Sequence, residues 1–112
     1  MKKINILGTE YTILIDVDEK DMPEGADGCA DNSTKTIRVA KQELDRNSLQ
    51  NLEAYKKKVL RHEIIHAFLY ESGLSCNSMG CSSWAANEEM IDWLAIMFSK
   101  INKAFKDADC LE

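Results

Sequence analysis

The hydrophobic period of this chain changes once, near residue 50, and that change restricts the fold more than any other feature. Before it, apolar residues alternate with polar ones or gather in short β-branched runs; after it, they recur every three or four residues. Residues 3–17 carry two apolar runs around Gly8-Thr9-Glu10 and read as a β-hairpin whose second strand, Tyr11 to Val17, is the longer. Residues 18–28 hold the single proline and an acidic excess, and read as a loop. Thr36 to Ala40 alternates Ile37 and Val39 with polar neighbours, as a half-buried strand does. The turn-forming Asp31-Asn32-Ser33 before it would let a short strand at Gly28 to Ala30 pair back onto it. From about Leu49, the spacing of Leu52, Tyr55, Val59, Leu60, Ile64, Ala67 and Phe68 predicts an amphipathic helix closed by Gly73. Ser75 to Ser83 is small and polar. A second helix is expected from Trp84 to Phe105, with Ile91, Leu94, Ala95, Phe98, Ile101 and Phe105 along its apolar stripe. Strands first and helices second predict an α+β domain.

At 112 residues the chain has room for one hydrophobic core, so a single domain over 1–110 is expected, with Leu111-Glu112 set aside as a tag remnant. Fourteen basic residues against nineteen acidic ones give a net charge of −5, and no basic stripe is interleaved with aromatics, which argues against a nucleic-acid partner. No apolar run approaches a membrane span, and the run after Met1-Lys2-Lys3 is too short for an export signal. A cytoplasmic protein with mostly free thiols and no membrane partner is therefore expected.

The only two histidines lie four residues apart, in His62-Glu63-Ile64-Ile65-His66. At that spacing both imidazoles project from one helical face and can reach a single metal ion at about 2.0–2.1 Å. Glu63 falls beside them, where a carboxylate can take a proton from a metal-activated water and hand it to a leaving amine. Chance alone gives the pattern in on the order of one in a few hundred chains of this length. Here it falls in a predicted helix, uses both histidines, and is followed by a helix able to supply a third ligand. Catalytic zinc keeps three protein ligands and a water. In the second helix Glu88 and Asp92 are four apart and share a face, so Glu88 can ligate while Asp92 orients a histidine through its other ring nitrogen. Glu89, about 100° away, is the alternative ligand.

The pair of motifs, His62-Glu63-x-x-His66 and, after 21 residues, Asn87-Glu88-x-x-x-Asp92, resembles the gluzincin branch of the zincin metallopeptidases. The surrounding residues, His62 to Leu74 and Asn87 to Ala95, are similar to small zincin-like proteins encoded by bacteriophages and mobile elements. The resemblance implies a minimal zincin fold in which a small, mainly antiparallel sheet packs with an active-site helix and a C-terminal glutamate helix. It implies Zn2+ on His62, His66 and Glu88, Glu63 as general base, and Asp92 supporting a histidine. The activity implied is hydrolysis of a peptide or protein substrate, of narrow specificity in so small a domain; cleavage of one repressor or stress protein is a regulatory variant. A noncatalytic zinc-binding or interaction protein is the alternative. Larger gluzincins stabilise the oxyanion with further histidine or tyrosine groups, and this chain has no third histidine. Tyr70, one turn beyond His66, is the candidate donor, although a tyrosine there serves equally to close the core. Tyr55 and Arg61 are weaker candidates.

Other features carry less. Cys76 and Cys81 have a C-x4-C spacing but no further Cys or His nearby to complete a tetrahedral site. Residues 16–31 hold seven acids against one lysine, yet the D-x-D start at Asp16 lacks the glycine and glutamate of a calcium loop. Lys56, Lys57 and Lys58 are expected to face solvent, and Trp84 and Trp93 to pack the two helices together. Thr36 to Ala40, placed at a sheet edge, could hold an extended peptide by backbone pairing.

Overall fold

The computed structural model describes residues 1–43, 51–77 and 84–111, with the backbone alone at 76, 77 and 84. The architecture is α+β. Strands β1 (Lys2–Ile6), β2 (Thr9–Val17), β3 (Gly28–Asp31) and β4 (Thr36–Ala40) precede the helices α1 (Leu52–Glu71), α2 (Leu74–Asn77) and α3 (Glu88–Asp107). The strands form one sheet in the order β1-β2-β4-β3. The two hairpins, β1/β2 and β3/β4, are antiparallel, and they join through a parallel β2/β4 pairing.

The first hairpin turns at Leu7-Gly8, one residue earlier than the sequence suggests. Ile6 pairs with Thr9, and Leu7 and Gly8 both have positive φ, +51° and +92°, the geometry of a two-residue type I′ turn that follows the right-handed strand twist. Asn5 Oδ1 accepts from the Gly8 N–H at 2.9 Å and steadies the turn. Further along β2, three steps from Leu14 to Val17 oppose two steps on β4, a bulge with Asp16 at φ +59°. The bulge takes Asp16 out of the regular pairing, and Lys56 of α1 donates to its carboxylate at 2.8 Å.

Register explains the core. Ile4 lies opposite Tyr11, Ile13 beside Ile37, and Ile37 opposite Ala30, so the apolar residues of all four strands meet on one face of the sheet. Ile6, Tyr11, Ile13 and Ile37 form that core with Ala67, and Leu60 and Ile64 pack against it. Glu71, in the last turn of α1, accepts from Thr9 Oγ1 at 2.9 Å, Tyr11 Oη at 2.7 Å and Lys35 Nζ at 2.8 Å, which fastens the helix to both hairpins. Its carboxyl is pulled down to about 2, first by the Lys35 ammonium and then by the Tyr11 hydroxyl. Asn51 caps the start of α1 by accepting from the Ala54 N–H. Gly73 closes its end at φ +81°, as the sequence suggests. Leu49 lies outside the described residues.

Three expectations are corrected. Thr36–Ala40 is an interior strand, paired on both sides, and the edge beside α1 is β3. The second helix begins at Glu88, because Asn87 caps it by accepting from the Met90 N–H at 2.8 Å, while Trp84–Ala86 form a separate 3-10 turn. Only Ile91 and Ala95 of its apolar stripe are fully buried; Phe98, Phe105 and Trp93 stand about half exposed, so Trp93 does not pack the helices together. At 100° per residue Trp93 lies far round the helix from Ile91 and Ala95, the residues that meet α1. Among the described residues no helix is long and apolar enough to cross a membrane.

Candidate metal centre

The site forms where the first half of α3 crosses the middle of α1. His62 and His66 stand one turn apart on α1, and Glu88 opens the first turn of α3. Glu88 Oε2 lies 3.0 Å from His62 Nε2, Glu88 Oε1 lies 2.8 Å from His66 Nε2, and the two Nε2 atoms are 3.2 Å apart. Four ligands at about 2.0–2.1 Å around a tetrahedral ion sit about 3.3–3.4 Å from one another, so the triangle needs to open only slightly to receive one. Two imidazole nitrogens and one carboxylate are also the donor set that zinc accepts while keeping a position for water. Among the described residues His62, His66 and Glu88 form the group able to hold a metal. Glu89 is not in it; as its helical position suggests, it faces away, exposed.

Asp92, one turn after Glu88, has Oδ1 3.2 Å from His62 Nδ1 and accepts from Lys58 Nζ at 3.0 Å. A carboxylate at Nδ1 keeps the proton on that nitrogen and leaves the Nε2 lone pair directed at the cluster. The Lys58 ammonium, followed by His62, lowers the acidity range of Asp92 below its usual value and so keeps it an acceptor. Burial lowers the pKa of His66, with the Glu88 charge acting the other way. A neutral imidazole is the ligand form.

Glu63 is the one buried charged residue of the described chain, 8% exposed. Burial, reinforced by the nearby Glu88 charge, raises its pKa; His62 and the Ala30 backbone N–H oppose that shift. It reaches its place because Gly28 has no side chain. A methyl group there would lie 2.6 Å from Val59 Cγ1 and 2.8 Å from Glu63 Oε2. β3 therefore packs close against the carboxylate, and clefts open on either side of it. One, about 180 Å³, runs past His66, Tyr70, Ala30 and Asn32; the other, about 290 Å³, past His62, Glu88, Tyr55 and Lys58.

The remaining candidates separate. Tyr70 lines the cleft beside His66, and Lys35 Nζ stands 4.9 Å from its ring centre, so it faces the site and is also tied into the packing around Glu71. Tyr55 donates its hydroxyl proton to Asp27. Arg61 is turned away from the cluster, with Nε donating to the Ala95 carbonyl at 2.6 Å. Cys81 lies outside the described residues, and the backbone of Cys76 falls in α2. Sequence reasoning missed Gly28 and Lys58. For Lys58 a signal existed, since it sits four residues before His62 and shares its face; it and Lys56 are both engaged by carboxylates rather than free in solvent. For Gly28 no sequence signal pointed to Glu63.

No protein-family model, no curated protein and no solved structure matches the chain.

Proposed function

We propose that this chain is a zinc-dependent metallopeptidase acting on a narrow set of peptide or protein substrates. The observation that carries the proposal is the convergence of His62 Nε2, His66 Nε2 and the Glu88 carboxylate within hydrogen-bonding distance of one another, with the buried Glu63 beside them. His62, His66 and Glu88 would hold the ion. Bound there, zinc would supply Lewis acidity, lowering the pKa of a water to about 7 and polarising a peptide carbonyl.

The chain's own residues supply the rest. Glu63 accepts the proton of the attacking water and delivers it to the amine nitrogen as the peptide bond breaks, and its raised pKa suits both transfers. Asp92 holds the tautomer and orientation of His62, and Lys58 holds Asp92. β3, the edge strand flanked by the two clefts, is the sheet edge along which an extended substrate segment would lie, the role first expected of Thr36 to Ala40. Tyr70 supplies a phenol on the His66 side, where a donor to the developing oxyanion is needed.

Glu63→Gln is expected to keep stoichiometric zinc and lose turnover, whereas His66→Ala loses both. The substrate is sought by incubating parent and Glu63→Gln protein with lysate of the native host and comparing new protein N-termini. Termini specific to the parent support the proposal. Their absence, with zinc still bound, favours a noncatalytic zinc-binding protein, and a Glu63→Gln variant as active as the parent refutes the general-base assignment.

A further inference from the structure

One wall of the larger cleft is a run of contacts that ends on a histidine of the metal centre. Among the described residues lining that cleft, Asp27, Glu63, Glu88 and Asp92 bring carboxylates, and Lys58 brings the single ammonium. Tyr55, Lys58 and His62 follow one another at three- and four-residue steps along α1 and so share a face. Lys58 Nζ lies 5.1 Å from the centre of the Tyr55 ring and 3.0 Å from Asp92 Oδ1. That same oxygen stands 3.2 Å from His62 Nδ1. At the other end the Tyr55 hydroxyl donates to the Asp27 carboxylate, and the Asp27 carbonyl accepts from the Ala40 N–H at 2.8 Å. The run therefore starts on the sheet, at the residue that precedes β3, crosses the face of α1, and reaches His62 by way of the second turn of α3.

Each contact restricts the next. A lysine side chain is long and freely rotating, and its ammonium has no geometry of its own that keeps it on one carboxylate. The face of the Tyr55 ring gives that ammonium a second attractive contact, and the Asp27 carboxylate holds the ring by its hydroxyl. A carboxylate with one hydrogen-bond partner can turn about its bond to Cβ; with Lys58 and His62 both on Oδ1, that oxygen is fixed against the imidazole. A ligand histidine held in this way keeps its ring orientation and its free Nε2 lone pair. We infer that Lys58 is a positioning residue of the metal centre, seated against Tyr55 and acting on a bound ion through Asp92 and His62. The inference rests on the metal-binding reading above and adds that the hold on an ion extends to Lys58, and behind it to Tyr55 and Asp27, none of which would touch it. The sign of the effect separates positioning from charge. A lysine acting by charge alone repels a dication, so its removal would tighten binding. A lysine acting through Asp92 has the opposite sign, and its removal loosens binding.

Zinc titration of the full chain against a competing chelator tests this, with far-UV circular dichroism as the control for folding. Lys58→Met, which keeps the length of the stem, is expected to weaken zinc binding about three- to tenfold, less than the loss of a group bonded directly to a ligand. In an Asp92→Asn background the same substitution should bring no further weakening. Lys58→Arg, able to hold the carboxylate and stack on the ring, should return the affinity to within about twofold of the parent. Tyr55→Leu should weaken binding about two- to fivefold, and not at all once Lys58→Met is present. In the zinc-loaded protein labelled with 15N-histidine, whose two histidines make assignment simple, the His62 Nδ1–H resonance should be sharp in the parent and in Lys58→Arg and broadened by exchange in Lys58→Met. A Lys58→Met protein that binds zinc as tightly as the parent, or more tightly, overturns the inference. Equal weakening with and without Asp92, or an unchanged His62 ring resonance, also overturns it, because either marks a merely structural lysine. A Tyr55→Leu protein with the parent's affinity removes Tyr55 and Asp27 from the assignment. A parent that takes up no zinc overturns the metal-binding reading itself, and the inference with it.

Discussion

Replacing Gly28 by alanine tests the packing that seats Glu63. The glycine φ is not in the left-handed region, so alanine meets no backbone strain there and the effect is steric. The added methyl would stand 2.6 Å from Val59 Cγ1, 2.8 Å from Glu63 Oε2 and 2.9 Å from Glu63 Cγ. Both neighbours are on α1 and buried, 5% and 8% exposed, so neither can swing into solvent, and relief requires β3 and α1 to separate. Overpacking of this kind costs about 1–3 kcal/mol. Reduced freedom of the unfolded chain returns about 0.4–1 kcal/mol. The net loss is about 1–2 kcal/mol, a fall in Tm of about 5–15 °C for a domain of this size. Thermal unfolding followed by far-UV circular dichroism, with a chelator present to remove any contribution of bound metal, measures it. A second arm repeats the substitution in a Val59→Ala background, where the closest contact is gone and the penalty should shrink by about 0.5 kcal/mol or more. A Gly28→Ala protein as stable as the parent, or a penalty unchanged in the Val59→Ala background, would refute the close-packing argument.

Three further outcomes are expected. Zinc at a hundred times its dissociation constant should stabilise the fold by about 2.7 kcal/mol, a rise in Tm that a chelator reverses and that His62→Ala and His66→Ala abolish. Asp92→Asn should weaken zinc binding by about 10–100-fold in a competition titration while leaving the fold intact, because Asn in place of the carboxylate no longer fixes the His62 tautomer. Glu71 has a folded pKa depressed to about 2 from an ordinary 4.5, so its contribution is complete above about pH 4.5 and is lost as the pH falls towards 2; Glu71→Gln should flatten the stability profile in that window, and an unaltered profile in denaturant titrations would show that the network does not set acid stability.

The sequence made the α+β order readable because the change from strand to helix spacing is a local property. It made the ligand set readable as a candidate because four-residue spacings fix which side chains share a helical face. What it could not carry was pairing across distance. Whether Thr36–Ala40 lies inside the sheet or at its edge depends on the parallel union of two hairpins, and each hairpin's pattern is the same either way. Gly28 acquires its purpose only when β3 lies against α1. The exposed aromatics of α3 also misled, since apolar spacing marks a face without saying how much of it the fold buries.

α3 packs chiefly on α1 and brings both of its site carboxylates within its first two turns. Undocking that one helix would dismantle the ligand set while the sheet and α1 keep their own contacts. The measured affinity for an ion is then the intrinsic affinity reduced by the fraction of molecules with α3 in place. Substitutions far along α3, remote from any ligand, would thereby change how long an ion stays bound, and amide exchange in α3 would report the same opening that lets it leave.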